Sequence, residues 1–302
     1  MVQLPKRAKV VIIGQGGIVG SSVAHHLIEQ GWDDIVGLEK SAIPSDISST
    51  SHASDFCFTT SHDKLNVYTT KYSQAFYEKR GNYVKCGGME VARIDDDGRM
   101  DELRRKVGSG KAFGTNVSMI SPKRAKELFP LLNEGSIQGA MWDPDAGLVV
   151  PRSQAVAGDL VEEAVATGKL QAFAYTPAIR IDVKDGQVCG VETHKGYIET
   201  DYVVLSMGIW GPLMANTAKA PLPLMPLEHP LLFFGPCEEL AGTGKQIVYP
   251  LFRDQGNSAY VRDTGDPTTT EGGRIEWGYY EAENPRLVYP SAIAEPGDAR
   301  MS

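Results

Sequence analysis

No stretch of this chain approaches the ~18 consecutive apolar residues that a membrane-crossing helix needs, so the sequence reads as having no membrane partner. Positive charge is also in deficit. Thirty Lys and Arg face 38 Asp and Glu, a formal net charge of −8, which argues against a nucleic-acid or anionic-membrane partner. Cysteine is scarce: Cys57, Cys86, Cys189 and Cys237 lie far apart with no C-x-x-C pair. That spacing excludes a disulfide framework or a zinc-ribbon site and suits reduced, packed thiols in a cytoplasmic protein, with no metal site expected. The N-terminal segment MVQLPKRAKVVIIG is basic but has no signal-peptide apolar core. Internal repeats and low-complexity tracts are absent too. What remains is 302 residues, 42% hydrophobic and 23% charged, enough for about two soluble globular domains.

The stretch Val10 to Glu39 carries the most information. Val10–Ile13 is wholly apolar, as a strand buried on both faces requires. Gly14, Gly16, Gly17 and Gly20 follow, then Ala24, Leu27 and Ile28 recur at helical spacing until Gly31. A second apolar run, Ile35 to Leu38, is closed by Glu39, nineteen residues after Gly20. This strand, glycine turn, helix, strand and acid predict a dinucleotide-binding unit. The glycines admit a pyrophosphate close to the backbone, and the helix N-terminus offers it N–H groups and a positive dipole end. Glu39 is placed to accept hydrogen bonds from a ribose diol, and its charge disfavours a 2′-phosphate. The order Gly14-Gln15-Gly16-Gly17-Ile18-Val19-Gly20 departs from G-x-G-x-x-G. Gln15 or Val19 stands where a glycine belongs, depending on the end counted from, so the turn reads as carrying one extra residue.

Farther on, helices are predicted over 64–79, 100–107, 122–129 and 153–167, with a turn at Asp95 to Gly98. Gly87 to Ile94 alternates like a strand. Val188 to Thr193 and Asp201 to Gly208 read as a hairpin-like pair feeding a buried strand, which makes Gly208 a second point of close approach to a cofactor. From Pro221 prolines punctuate the chain, and short strands are predicted at 231–234, 247–251, 258–261 and 274–280. The expected architecture is α/β: a Rossmann-like binding domain from residues 1–82 and 150–218, and a mostly antiparallel β substrate domain from 83–149 and 219–302.

Several motifs together resemble the D-amino-acid-oxidase-type flavoproteins, in particular the dimethylglycine and sarcosine dehydrogenase (oxidase) branch. They are VVIIGQGGIVGSSVAHHL, Glu39, the loop SSTSHASDF (Ser48 to Phe56), GGMEVAR (Gly87 to Arg93) and SMGIWG (Ser206 to Gly211). The resemblance implies FAD as cofactor, held by Gly14, Gly16, Gly17, Gly20, Glu39, Lys40, Ser49, Thr50, His52, Gly208 and Trp210. It makes His52 the point of covalent attachment to the flavin 8α carbon. It also places His229, in PLEHPLL, and Tyr260, in NSAYVRD, as catalytic groups at the flavin's substrate face. An imidazole there accepts the ammonium proton, and a phenol fixes the substrate. Arg262 or Arg253 is placed to pair with a substrate carboxylate. The implied reaction is oxidation of a small secondary or tertiary amino acid by hydride transfer to flavin N5. The alternatives are an NAD-dependent dehydrogenase and a non-catalytic FAD-binding subunit or fragment. The chain ends at Arg300-Met301-Ser302, before the return to the cofactor domain that the resemblance leads one to expect, so a fragment or a partner-supplied segment is expected. The expected partners are an amine substrate and either an electron acceptor or a partner subunit.

Overall fold

The computed structural model describes residues 3–269, 272–281 and 283–288. The chain forms two compact units, each assembled from separated stretches: Met1–Ala53, Pro151–Leu227 and Leu287–Ser302 in the first, Ser54–Val150 and Glu228–Arg286 in the second. The helix Lys64–Arg80, which the sequence reading assigned to the first domain, belongs to the second unit.

The first unit is built on a four-stranded parallel sheet in the order Val203–Leu205, Val10–Ile13, Ile35–Leu38, Leu170–Phe173. Its apolar runs are explained by burial on both faces. Val10, Ile12 and Ile35 pack with Ala24, Val161 and Ala164 of the helices Ile18–Glu29 and Ser153–Ala166. On the opposite face Val11, Ile13, Val36 and Leu38 pack with Ile181, Val191 and Ile198 of a three-stranded antiparallel sheet, and with Met214. Two of those three strands, Gln187–Thr193 and Gly196–Glu199, form a hairpin; the expected partner of 188–193, Asp201 to Gly208, instead gives Val203–Leu205 to the parallel sheet. The third, Ala178–Lys184, and the sheet strand Leu170–Phe173 were not foreseen.

The second unit carries a seven-stranded sheet in the order Leu231–Phe234, Ile275–Tyr279, Ala259–Asp263, Leu251–Asp254, Gly88–Arg93, Ile137–Asp143, Ser118–Ile120. It is antiparallel except where Leu251–Asp254 runs parallel to Gly88–Arg93. The strand near Gly88 therefore joins this sheet, as expected. The helix Pro122–Leu128 starts where Ser121 and Pro122 predicted, the Ser121 hydroxyl accepting from the Arg124 amide.

Two local expectations fail. The strand placed at 247–251 begins only at Leu251. The Val248 and Tyr249 amides donate to the Asp263 carboxylate at 2.9 and 2.8 Å, and Pro250 has no amide to offer a ladder. The turn at Asp95 to Gly98 is only half a turn. Asp95 takes a positive φ, but Asp96 accepts from the Arg99 amide and caps a helix running Asp97–Ala112, longer than the predicted 100–107.

Candidate functional site

The first unit holds a cavity at the carboxyl ends of the Val10–Ile13 and Ile35–Leu38 strands, where open α/β sheets bind ligands. Gly14, Gly17, Glu39, Lys40, Ser49, Thr50, Gly208 and Trp210 all line it. The glycine turn resolves the ambiguity of the motif. Gly14 has φ +94°, and a Cβ there would collide with the Ser206 carbonyl oxygen. A Cβ at Gly20 would strike the Gly14 carbonyl oxygen, so Gly20 sets helix-to-turn packing and does not line the cavity. Gln15 is fully buried, its side chain lying where a Cβ of Gly37 would have to be. Gly16 also lies outside the cavity lining; its amide donates to Glu39.

Gly17 caps the helix Ile18–Glu29 without a side chain of its own. The missing cap comes from the polar loop, where the Thr50 hydroxyl accepts from the Ile18 amide at 3.1 Å. Glu39 is 6% exposed. One of its oxygens accepts from the Gly16 amide at 3.0 Å, and the other from the Ser41 amide at 3.1 Å. The acid thus braces both the glycine turn and the following loop, and a carboxylate retains further lone pairs for a ribose diol. Lys40 lies over the Trp210 ring, 3.3 Å from its centroid, a cation–π contact at the cavity wall. The expected strand end at Gly208 lies earlier, at Leu205. Gly208 itself has φ +53° and opens a short helical turn, and a Cβ there would meet only open space.

Sequence reasoning missed Ser206 and also Ser48, which it used only as part of a motif. Both line the cavity, and their buried hydroxyls have no hydrogen-bond partner among the described residues; the Trp210 indole N–H is in the same state. Unsatisfied buried donors and acceptors around a helix N-terminus and an acid suit a polyoxygenated ligand. The residues therefore fit a dinucleotide cofactor.

His52 does not line this cavity; it is exposed on the loop. Its Nδ1 lies 2.9 Å from the Ser48 carbonyl oxygen and 3.0 Å from the Ser51 hydroxyl. A carbonyl oxygen only accepts, so Nδ1 carries the proton and Nε2 keeps its lone pair.

In the second unit, aromatic rings gather on and beside the strands Ala259–Asp263 and Ile275–Tyr279. The Tyr280 ring sits edge-on to His229 at 4.6 Å and 5.6 Å from Tyr260, while Phe56 meets Tyr260 at 5.4 Å. His229 Nδ1 lies 3.4 Å from a Glu281 oxygen. Burial pushes the Tyr260 phenol up, with Tyr280 and Glu276 adding to it against a Ser54 contact, so it stays a neutral hydroxyl. The two candidate arginines differ. Arg262 is 4% exposed and committed to Glu276 at 2.9 Å, with Asp55 at 3.9 Å. Arg253 makes no ion pair or hydrogen bond among the described residues and lies over Phe58. Cys57 and Cys86 are pushed up to about 11 and about 12, chiefly by burial, and so remain packed thiols. The described residues contain no cluster of metal ligands and no helix long and apolar enough to cross a membrane.

The parallel sheet, the glycine turn and the buried acid define a dinucleotide-binding protein. The family model described as FAD dependent oxidoreductase (DAO) matches residues 9–296, and the chain belongs to that family. FAD is accordingly the cofactor, not a nicotinamide dinucleotide. The mitochondrial pyruvate dehydrogenase phosphatase regulatory subunit of Mus musculus is 31% identical over 95% of this chain and 32% of that protein. The 4-methylaminobutanoate oxidase (formaldehyde-forming) of Paenarthrobacter nicotinovorans is 30% identical over 94% of this chain and 33% of its own length. Human mitochondrial sarcosine dehydrogenase is 29% identical, with 95% and 31% covered. The chain thus spans about a third of the length of the curated relatives it matches. Among solved structures, L-proline dehydrogenase from P. horikoshii superposes with a TM-score of 0.78 at 25% identity, covering 91% of this chain and 70% of that one. Glycine oxidase from Geobacillus kaustophilus, at 18% identity and a TM-score of 0.70 over 94% and 73%, shares the fold.

Proposed function

We propose that this chain oxidises a small secondary or tertiary amino acid of the sarcosine or dimethylglycine kind. The observation that carries this reading is the His229–Glu281 contact beside Tyr280 and Tyr260. Relatives named as oxidising sarcosine, dimethylglycine and 4-methylaminobutanoate support the substrate class. FAD, when bound, supplies the hydride acceptor at N5. Amine oxidation requires the neutral amine, so a base must first remove the ammonium proton. Glu281 accepts from His229 Nδ1, which leaves Nε2 to take that proton. The Tyr260 hydroxyl, neutral at physiological pH, donates to and orients the substrate. His52 Nε2, with its lone pair kept by the Ser48 carbonyl, is the nucleophile for covalent flavin attachment. The remaining partner is an electron acceptor or partner subunit, and the unpaired thiols fit a reducing compartment such as the cytoplasm.

Anaerobic mixing of the flavin-loaded chain with sarcosine or dimethylglycine tests this. His229→Ala should slow flavin bleaching by about 100-fold or more with flavin content unchanged. Equal bleaching rates in the two proteins would remove His229 from the reaction. Acid precipitation reads the linkage separately: flavin stays with the pellet and is lost from it in His52→Ala. A second reading, a non-catalytic FAD-binding subunit, is favoured by the regulatory-subunit relative. It predicts bound flavin that no amine reduces.

A further inference from the structure

The second unit has an opening of its own that the proposed reaction does not use. It is a cleft of about 400 Å³, within the size range of small-ligand sites, lined by Lys64, Val67, Tyr68, Lys71 and Tyr72 of the helix Lys64–Arg80 and by Phe113. Phe113 follows directly on the helix Asp97–Ala112. None of the six lines the cofactor cavity. Positions 64, 68, 71 and 72 follow helical spacing and so share one face. A surface helix ordinarily turns its apolar side inward and leaves polar groups outside. This helix departs from that. Its buried positions are Val67 and the polar Gln74, whose amide donates to the Tyr83 hydroxyl at 2.8 Å and to the Asp145 carbonyl oxygen at 3.1 Å. Leu65, Tyr68 and Tyr72 are instead 66%, 69% and 50% exposed. Tyr72 is stacked against Phe76, one turn on, at 6.5 Å. Aromatic surface gathered around a cleft marks a binding site.

Charge narrows the ligand. The chain as a whole carries −8, yet the lining of the cleft contains two ammonium groups and no carboxylate. Neither Lys64 nor Lys71 meets a carboxylate within ion-pair distance among the described residues. Lys71 Nζ donates to the Gly114 carbonyl oxygen at 2.9 Å, which holds the ammonium beside Phe113 and leaves two donors over. Lys64 and Lys71 are two helical turns apart, about 10 Å along the axis, with Tyr68 between them. A flat ring seated on Tyr68, Tyr72 and Phe113 buries apolar surface against three rings, and an acid on its edge meets an ammonium. Lysine presents a compact point charge, so that acid needs no bidentate geometry. A neutral ring would leave both ammonium groups without a counter-ion, and a small inorganic anion would leave the rings bare. The ligand that answers both features is aromatic and anionic.

We propose that this cleft binds a small planar aromatic carboxylate, at a place that shares no residue with the amine-oxidising site and does not depend on that reading. Naphthoate and its uncharged isostere naphthamide are the probes, added to the flavin-loaded full chain. A carboxylate can also enter the substrate site, so the readout is taken at the cleft itself: acetylation of Lys64 and Lys71 by N-hydroxysuccinimidyl acetate, mapped by mass spectrometry with the exposed Lys184 as internal reference. Naphthoate should slow labelling of both cleft lysines saturably and leave Lys184 unchanged, while naphthamide should protect none of them. Tyr68→Ser removes an exposed ring without touching the core, and should raise the naphthoate concentration for half-protection about 10-fold. Lys71→Gln should raise it by a similar factor, read at Lys64. Equal protection by naphthamide would mean a cleft that selects shape and not charge, and overturns the proposal. So does the absence of saturable protection in the unaltered protein, or a half-protection concentration that Tyr68→Ser leaves unchanged.

Discussion

Removing the Lys106 ammonium should be among the most damaging single changes to the second unit. Lys106 is 7% exposed and Glu90 is 0% exposed, and they meet at 2.6 Å. Lys106→Met keeps the apolar stem and deletes the charge. Glu90 Oε2 then loses its donor, and Oε1 already has none among the described residues. Breaking a buried pair from one side costs about 3–5 kcal/mol, because a charge stays behind unpaired. Arg253, in register with Glu90, offsets part of that, which places the expectation near 3 kcal/mol. Replacing both partners, as in Glu90→Met with Lys106→Met, removes the stranded charge and should return stability to within about 1 kcal/mol of the parent. Trp142 and Trp277 lie in the second unit and Trp32 and Trp210 in the first, so urea unfolding followed by tryptophan fluorescence in a Trp32→Phe, Trp210→Phe background reads the change in the second unit. A single variant within about 1 kcal/mol of the parent, or a double variant as unstable as the single, would refute the reasoning.

Gly14→Ala combines a positive φ with a collision against the Ser206 carbonyl, which is backbone and cannot rotate away. A loss of about 3 kcal/mol or more is expected by thermal unfolding, together with loss of bound flavin after desalting. Asp143 is fully buried, and burial raises its pKa despite the Thr59 and Asp145 donors. The folded state thus holds that proton more tightly than the unfolded chain, whose aspartates titrate near 3.9, so stability falls as pH rises from about 4 through the raised value. Asp143→Asn should flatten the denaturation midpoint across that window, and an unaltered slope would show that Asp143 does not contribute it.

The first unit was legible wherever a segment's own chemistry decided its structure. Val10–Ile13 is apolar throughout because both its faces are covered, and Gly14 and Gly20 stand after it where backbone atoms come too close for a Cβ. Where distant residues decided, local reading failed. The Val248 and Tyr249 amides bond the side chain of Asp263, a partner no local pattern announces. The candidate site divides in the same way. Glu39 and the glycines were visible from spacing, whereas the Thr50 cap on a helix 32 residues earlier was only a motif member. Nothing in the sequence separated Arg253 from Arg262. The distinction lies in Glu276, which reaches one of them from a neighbouring strand. Gln15, which stands where one way of counting the motif puts a glycine, is accommodated by Gly37 in the adjoining strand.

The interleaving of the two units has a consequence for how the chain acquires its structure. Val11 pairs with Val203, about 190 residues later, and Gly88 with Leu251, about 160 later. Closing loops of that size costs roughly 4–5 kcal/mol of chain entropy each before any contact repays it. Such high contact order slows folding. During synthesis the Val10–Ile13 strand must wait for Leu205, about 10–40 s at ordinary elongation rates, with one hydrogen-bonding edge and much of an apolar face uncovered. The nascent chain therefore passes through a long interval as a client for chaperones, and neither unit corresponds to one continuous segment that can be cut out and expressed alone.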